Sequence, residues 1–210
     1  MTTVTSWQRL NAAFWLLIVL LLASLGLAFW VADARSVIHK RSEQLAAARG
    51  NIAYKVVLIS EPVGGLLLDP KNVLEKARVA EAEKELASEM RFIQTTFADY
   101  PDLMRSVTNL SEFTLRTLAD FHRRVLDMAD TNSASAVMLY VKDNPEIRNT
   151  RGKLFAELAS EVERVQNAEA KREDRLGLVG LAPFAILLLA IPIVGRVHSS
   201  TVAQIGRAHV

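Results

Sequence analysis

Two arginines fall among apolar stripes of the chain, where a buried charge is costly unless it finds a partner. Arg49 lies seven residues before Val56 in an apolar column, and Arg151 lies between Ile147 and Leu154. A planar guanidinium can hold a carboxylate through two parallel hydrogen bonds. Each arginine is therefore a candidate for binding a carboxylate ligand.

A structural role is open to the same two arginines. Each could pair inside the fold with a glutamate such as Glu112 or Glu161, or extend its apolar stem so that the charged end reaches water. We do not expect Arg49 and Arg151 to share one site. A helical rise of about 1.5 Å per residue puts them at heights of about 24 Å and 37 Å above the apolar segments described below.

Motifs of common catalytic sites are absent from the sequence, which has no Walker loop, GxGxxG, HExxH or GxSxG. The pair Gly64-Gly65 has no lysine after it, so we do not expect a phosphate loop. The chain has no cysteine, which excludes disulfides and thiolate zinc sites.

The histidines do not suggest a metal site either. The chain has four of them, His39, His122, His198 and His209. They are too dispersed for a ligand set, and His122 is expected at the solvated edge of a helix. We therefore predict no catalytic, cofactor-binding or metal site, and no enzyme activity in this chain.

Two apolar segments, residues 12–32 and 176–194, determine how the chain is organised. Neither contains Asp, Glu, Lys, Arg or His. A helix of about 20 such residues is about 30 Å long, enough to cross the hydrocarbon core of a bilayer. Trp7 and Trp30 bracket the first segment, where interfacial indoles are common. We predict two transmembrane helices, with little support for an ion pathway through them.

The orientation of these segments rests on weaker signals. Basic residues flank the spans on both sides, so the positive-inside count does not decide it. We favour a cytoplasmic N-terminus, because a short tail before a first span commonly stays inside. A cleaved signal peptide is the alternative, since Ala32-Asp33-Ala34 fits a cleavage site. The apolar run of about 20 residues is longer than a signal core of roughly 7–15.

Nearly all the charge lies between the two apolar segments. All 23 acidic residues and 22 of the 25 Lys and Arg residues fall within residues 33–175. This region is near neutral, so we predict no nucleic-acid partner. Its length of roughly 140 residues is sufficient for a core of its own.

The region after the first apolar segment has a seven-residue apolar repeat. It is formed by Ile38, Leu45, Ile52, Ile59 and Leu66. Such a repeat keeps one face of a helix against a partner, so we expect the first span to continue as a long helix. Pro62 should kink or open that helix.

Three proline dipeptides indicate where the next helices start: Asp69-Pro70, Tyr100-Pro101 and Asn144-Pro145. These helices should run to about residue 96, to about residue 130 and through the second span. Residues 131–144 should lie between helices, with the apolar run at 137–139 covering the open end of the bundle. Apolar stripes place one core residue on each helix, namely Ile52, Leu86, Phe121 and Leu158.

These elements predict an all-α fold, an antiparallel four-helix bundle between two transmembrane helices. The expected domains are a cytoplasmic N-terminal tail (1–11), transmembrane helix 1 (12–32), an extracytoplasmic bundle (33–175), transmembrane helix 2 (176–194) and the start of a cytoplasmic region (195–204).

Residues 205–210 have a separate interpretation. The hexapeptide IGRAHV back-translates, with permissible codons, to ATCGGAAGAGCACACGTC. That string lies inside a widely used sequencing-library adapter, which has AG before it, and a CAG codon for Gln204 would supply AG. We interpret residues 205–210 as an adapter artefact and expect the downstream output domain to be missing.

Three short motifs carry a resemblance to a known family. They are the acidic, small and apolar run SEPVGGLLLDP at 60–70, ADYPD at 98–102, and VKDN at 141–144 followed by Arg151 and Glu161. Over roughly residues 35–175 the chain resembles bacterial extracytoplasmic sensor domains of the helical CHASE type and the four-helix-bundle domains of chemoreceptors. The resemblance implies an output module of the histidine kinase, cyclase, diguanylate cyclase or methyl-accepting type.

We therefore expect the sensory and transmembrane part of a signalling receptor in the bacterial inner membrane, with both termini cytoplasmic and the bundle periplasmic. Its partners would be the lipid bilayer, a second copy through the first and fourth helices, and a small ligand or periplasmic protein. The alternative is a two-span membrane tether or scaffold whose bundle binds a protein partner.

Overall fold

A computed structural model describes the backbone of residues 2–207, and side chains within residues 11–200 except at 13, 197 and 198. Every element in this part of the chain is helical, which confirms the all-α prediction. The elements are α1 (Thr2–Ser60), α2 (Pro62–Leu68), α3 (Val73–Thr96), α4 (Pro101–Glu112), a π-helical segment (Phe113–Leu118), α5 (Ala119–Ala129) and α6 (Ser133–Arg207). The side chains of residues 205–210 and the backbone of 208–210, where the adapter interpretation falls, lie outside the described residues.

The chain forms two compact units, Met1–Lys40 with Glu169–Val210, and Arg41–Ala168. In the first unit, α1 and α6 approach closely at a glycine. A Cβ placed on Gly180 would lie 3.1 Å from Cγ1 of Val31, so the absence of a side chain permits this approach. Nearby, the guanidinium of Arg35 pairs with the Glu173 carboxylate at 3.2 Å.

Much of the first unit's apolar surface is exposed. Phe29 is 81% exposed and Leu188 is 71% exposed, and most of their apolar neighbours in sequence are also exposed. Two helices are long and apolar enough to cross a membrane, and only 11% and 6% of their most apolar stretches is buried. A soluble protein rarely exposes so much contiguous apolar surface.

The second unit has a continuous apolar core. The heptad residues Leu45, Ile52, Ile59 and Leu66 are all buried there, and Ile38 of the first unit is buried as well. The four predicted core residues, Ile52, Leu86, Phe121 and Leu158, are also buried. The seven-residue repeat therefore identified the packed face of α1 correctly.

Polar contacts in the second unit show the relative direction of α1 and α3. Arg41 donates to the Thr96 carbonyl at 2.9 Å. Asn51 donates to the Glu89 carboxylate at 2.8 Å, and Lys55 farther along α1 bonds Glu85. Within the second unit, α3 therefore runs in the opposite direction to α1.

Contacts with α6 also occur in reversed order. Gln166 donates to the Ser42 carbonyl at 3.4 Å, and Arg151 donates to the Ser60 hydroxyl at 2.7 Å. On α4, Ser106 donates to the Glu157 carboxylate at 3.3 Å. Within the second unit, α6 therefore runs in the opposite direction to α1.

Two of the three predicted helix starts are wrong. The helix expected at Asp69-Pro70 begins instead at Val73, where the Asn72 side chain accepts a hydrogen bond from the Glu75 N–H at 3.1 Å. Asparagine is as good an N-cap as aspartate, and here the later cap is used. The start at Pro101 is confirmed.

The start predicted at Asn144-Pro145 is also wrong, because α6 begins at Ser133 and includes residues 133–144. Asn132 caps it, accepting from the Ser135 N–H at 3.0 Å. Ala136 is fully buried, so core packing favours a helix through this region despite the internal proline. The prediction that the apolar run at 137–139 covers the open end of the bundle is also wrong for Val137 and Met138, whose side chains are exposed.

A π-helical segment, Phe113–Leu118, interrupts the predicted third helix. The apolar stripe continues across it, since Leu110 before it and Phe121 after it are both buried. Eleven residues are close to three α-helical turns, so the apolar spacing from Leu110 to Phe121 gave no sign of the π-helical segment between them.

Candidate anion site at the break in the first helix

The site is organised by the end of α1 at Ser60 and the start of α2 at Pro62. The Glu61 N–H still donates to the Val57 carbonyl at 2.9 Å. Pro62 has no N–H, so the bond to the Leu58 carbonyl that would continue the helix cannot form. The predicted interruption at Pro62 is confirmed.

The Ser60 hydroxyl connects this break to α6. It donates to the Val56 carbonyl at 2.8 Å and accepts a hydrogen bond from Nη1 of Arg151 at 2.7 Å. The local bond to Val56 sets the orientation of the hydroxyl, so the serine presents its oxygen to the arginine. Ser60 therefore links α1 to the Arg151 side chain of α6.

Arg151 is partly buried and has a second arginine beside it. Burial lowers the pKa of the Arg151 guanidinium from its ordinary value, and the neighbouring Arg148 lowers that pKa further. Arginine still remains protonated in proteins. Two positive charges therefore lie near each other at this position, an unfavourable arrangement unless an anion compensates it.

A groove of about 280 Å³ lies beside the two guanidiniums. Its lining residues are Val57, Ser60, Glu61, Gly64, Tyr140, Asn144, Arg148 and Arg151. A Cβ added at Gly64 would meet nothing within 4 Å, so that side of the groove is open. The groove thus offers two cations, one carboxylate, an aromatic ring and an amide.

The glutamate partners predicted for Arg151 are wrong. Glu112 pairs with Arg116 at 3.1 Å, and Glu161 pairs with Arg164 at 3.0 Å. Among the described residues, no carboxylate lies within 4.0 Å of the Arg148 or Arg151 guanidinium. The two arginines therefore lack internal charge compensation at ion-pair distance.

Arg49, the other predicted candidate, does not lie in this groove. Its side chain is exposed, and the neighbouring Ala48 is buried instead. Val56 of the same apolar column is buried. The placement of Arg49 on the packed seam is therefore wrong, and its stem extends to water as in the structural alternative.

His122 was expected at a solvated edge, and that prediction is also wrong. Its side chain is 8% exposed, and its ring lies 5.9 Å from that of Phe121. Burial lowers the pKa of His122 to about 4, and the positive charge of Arg151 contributes to the lowering. The imidazole is therefore neutral at pH 7.

Acid should destabilise the second unit through His122. Because its folded-state pKa lies below the unfolded value of 6.5, the unfolded chain binds an extra proton between pH 6.5 and pH 4, and stability falls as pH falls through that range. From pH 7 to pH 5 we expect a loss of about 2 kcal/mol. Urea unfolding of segment 35–175 at both pH values measures it. The His122→Gln variant should lack this component, and equal pH dependence in the two proteins would contradict the assignment.

A second groove, of about 580 Å³, lies between the α1–α2 break and α3. It is acidic, with Glu61, Glu75, Glu81 and Glu85 in its lining. Its two cations are already paired, Lys55 with Glu85 and Arg78 with Glu75. Within the described residues, no group of acidic and histidine side chains is placed to hold a metal ion.

Arg148, Tyr140 and Ser60 were not predicted from the sequence to be members of one site. The spacing of Arg148 and Arg151 could have suggested a shared face, since residues three apart are neighbours on a helix. Ser60 and Tyr140 carried no such signal, because their proximity depends on how α1 and α6 pack.

Comparisons of the chain with protein-family models, with curated proteins and with solved structures found no match.

Proposed function

We propose that the chain is the sensory and transmembrane portion of a bacterial signal-transduction receptor. The observation that carries this proposal is the charged groove between the α1–α2 break and α6. The groove lies between α1 and α6, and each of these helices also contains one of the long apolar segments. A ligand in such a groove would act on both membrane-connected helices at once.

The sensor would be an antiparallel four-helix bundle spanning residues 33–175. The reversed order of contacts between α1 and α3, and between α1 and α6, supports this arrangement. On α4, Asp102 lies near Arg164 and Ser106 bonds Glu157, which is also a reversed order along α6. The first helix of the bundle would comprise residues 33–60 of α1 together with α2, and the third would comprise α4, the π segment and α5. With four antiparallel helices, the chain leaves the bundle at the end where it entered.

The apolar segments 12–32 and 176–194 would cross the bacterial inner membrane, with both termini cytoplasmic and the bundle periplasmic. Their exposed apolar side chains support this placement, because lipid would cover what water solvates poorly. The first segment would remain as an anchor, since it is longer than a signal core.

Signalling in this scheme is a shift between two arrangements of α1 and α6. A ligand changes such an equilibrium only if it binds one arrangement more tightly. The Ser60–Arg151 hydrogen bond already links the two helices, and an anion on Arg148 and Arg151 would alter that link. A homodimer through the first and fourth bundle helices would carry the shift across the membrane.

A membrane tether or scaffold is the second candidate, and one observation favours it. The ends of α2 and α3 that flank their connection expose large apolar side chains, with Leu68 87%, Val73 76% and Leu74 78% exposed. Exposed apolar patches often mark protein contacts. In that case the bundle would bind a protein and no output module would be needed.

Sequencing the source locus across the codon for Gln204 separates the two candidates. The receptor proposal predicts a reading frame that continues past Gln204, with different codons in place of IGRAHV and a kinase, cyclase, diguanylate cyclase or methyl-accepting module downstream. Genomic codons for residues 205–210 followed by a stop would contradict it and favour the tether.

A further inference from the structure

We propose that the groove lined by Ser60, Glu61, Tyr140, Arg148 and Arg151 binds a small monocarboxylate. The inference rests on the proposed sensor function for its biological meaning, and its test is independent of that function. Its basis is the charge, the hydrogen bonding and the size of the groove.

The charge balance of the groove calls for an anion. Arg148 and Arg151 are three residues apart on α6 and both line the cavity. Neither has an ion-pair partner among the described side chains. A carboxylate between them would relieve their repulsion through charge-assisted hydrogen bonds, which are about twice as strong as neutral ones.

Hydrogen bonding prepares Arg151 to receive this anion. One Nη1 proton is used by the Ser60 hydroxyl, and a guanidinium has five N–H donors in a fixed plane. The remaining donors can serve a planar carboxylate in the bidentate geometry that arginine favours. Because the bond to Ser60 already restricts the guanidinium, less rotational freedom is lost on binding.

Glu61 limits the charge that the groove can accept. Glu61 is one of the residues that line the cavity, so a dianion would meet more repulsion from its negative charge than a monoanion would. Inorganic phosphate is partly dianionic at pH 7, which disfavours it here relative to a monocarboxylate. The ring of Tyr140 and the side chain of Val57 provide an apolar wall for the organic part of a monocarboxylate within about 280 Å³.

Isothermal titration calorimetry on the full chain in lipid nanodiscs, at pH 7 and constant ionic strength, tests this proposal. The probes are sodium benzoate and sodium propionate. Benzamide, which has the shape of benzoate without its charge, and inorganic phosphate are the comparisons. We expect at least one carboxylate to bind, benzamide to bind at least about tenfold more weakly than benzoate, and phosphate to bind more weakly than the carboxylates.

Variants locate the binding. Arg148→Gln should weaken carboxylate binding about tenfold or more, as should Arg151→Gln. The control Arg49→Gln removes an equal charge at an exposed position of the same unit and should leave the affinity within about twofold. Arg148 is exposed, so Arg148→Gln should preserve the fold, and circular dichroism checks this. The Arg148→Gln variant therefore tests the proposal even if Arg151→Gln unfolds.

Three outcomes would overturn the proposal: no binding of either carboxylate, binding that Arg148→Gln leaves unchanged, or tighter binding of phosphate. These outcomes are separate from the test of receptor function. Carboxylate binding combined with a natural stop after residue 210 would retain the site and reject the receptor. An output module combined with no carboxylate binding would retain the receptor proposal and reject the carboxylate site.

Discussion

Replacing Phe121 with alanine is expected to destabilise segment 35–175 by about 3–5 kcal/mol. Phe121 is 1% exposed, and its ring stacks on that of Tyr140 with 6.0 Å between centroids. Truncation removes apolar burial, leaves a cavity and loses the ring contact, which adds about 0.5–1.5 kcal/mol in comparable pairs. Urea unfolding followed by circular dichroism measures the change.

Leu68→Ala is the matched control for this experiment. Leu68 is an apolar residue of the same unit that is 87% exposed, so its truncation should change the unfolding free energy by less than about 0.5 kcal/mol. A change below about 0.5 kcal/mol for Phe121→Ala would contradict the core position of Phe121 and the register of α5.

The full chain is expected to remain in the membrane fraction after alkaline carbonate extraction. Its two apolar helices expose side chains such as Leu22, Phe29 and Leu188, and covering each would gain about 1.5–3 kcal/mol. Summed over two helices of about 20 apolar residues, this is far more than surface adsorption supplies.

Segment 35–175 without the two apolar helices is the control for the extraction. It contains the charged region with its own core, and should appear in the soluble fraction. Release of the full chain by carbonate would contradict transmembrane insertion.

The features that were predictable from the sequence are those that depend on helical periodicity. Ile52 and Leu86 were placed in the core because residues at this spacing share a helix face whatever the helix packs against. The interruption at Pro62 was predictable too, since proline removes a backbone donor in any context.

Helix starts were less predictable, because several residues near each start can cap a helix. Asp69 and Asn72 are comparable as N-caps, and the Asn72 side chain is the one that caps α3. Burial of Ala136 favours a start of α6 at Ser133, ahead of Asn144. The proline signal marked only Asp69 and Asn144, because neither Asn72 nor Asn132 precedes a proline.

The candidate site depended even more on tertiary packing. Arg49 and Arg151 looked equivalent in the sequence, yet one is exposed and the other bonds Ser60 across two helices. Burial of His122 was not predictable from the sequence either, because a histidine followed by two arginines is typical of a solvated helix face. Spacing reports which face a residue occupies, and only the packed fold reports what that face contacts.

Reporter fusions in the bacterial inner membrane test the central claim most directly. An alkaline phosphatase fused near Asn132, within the bundle, should be active because it reaches the periplasm, and the same enzyme fused at Thr3 should be inactive. A reporter that works only in the cytoplasm should give the opposite pattern. Phosphatase activity at Thr3 without activity near Asn132 would contradict the proposed topology and place residues 33–175, with the groove at Arg148 and Arg151, inside the cell.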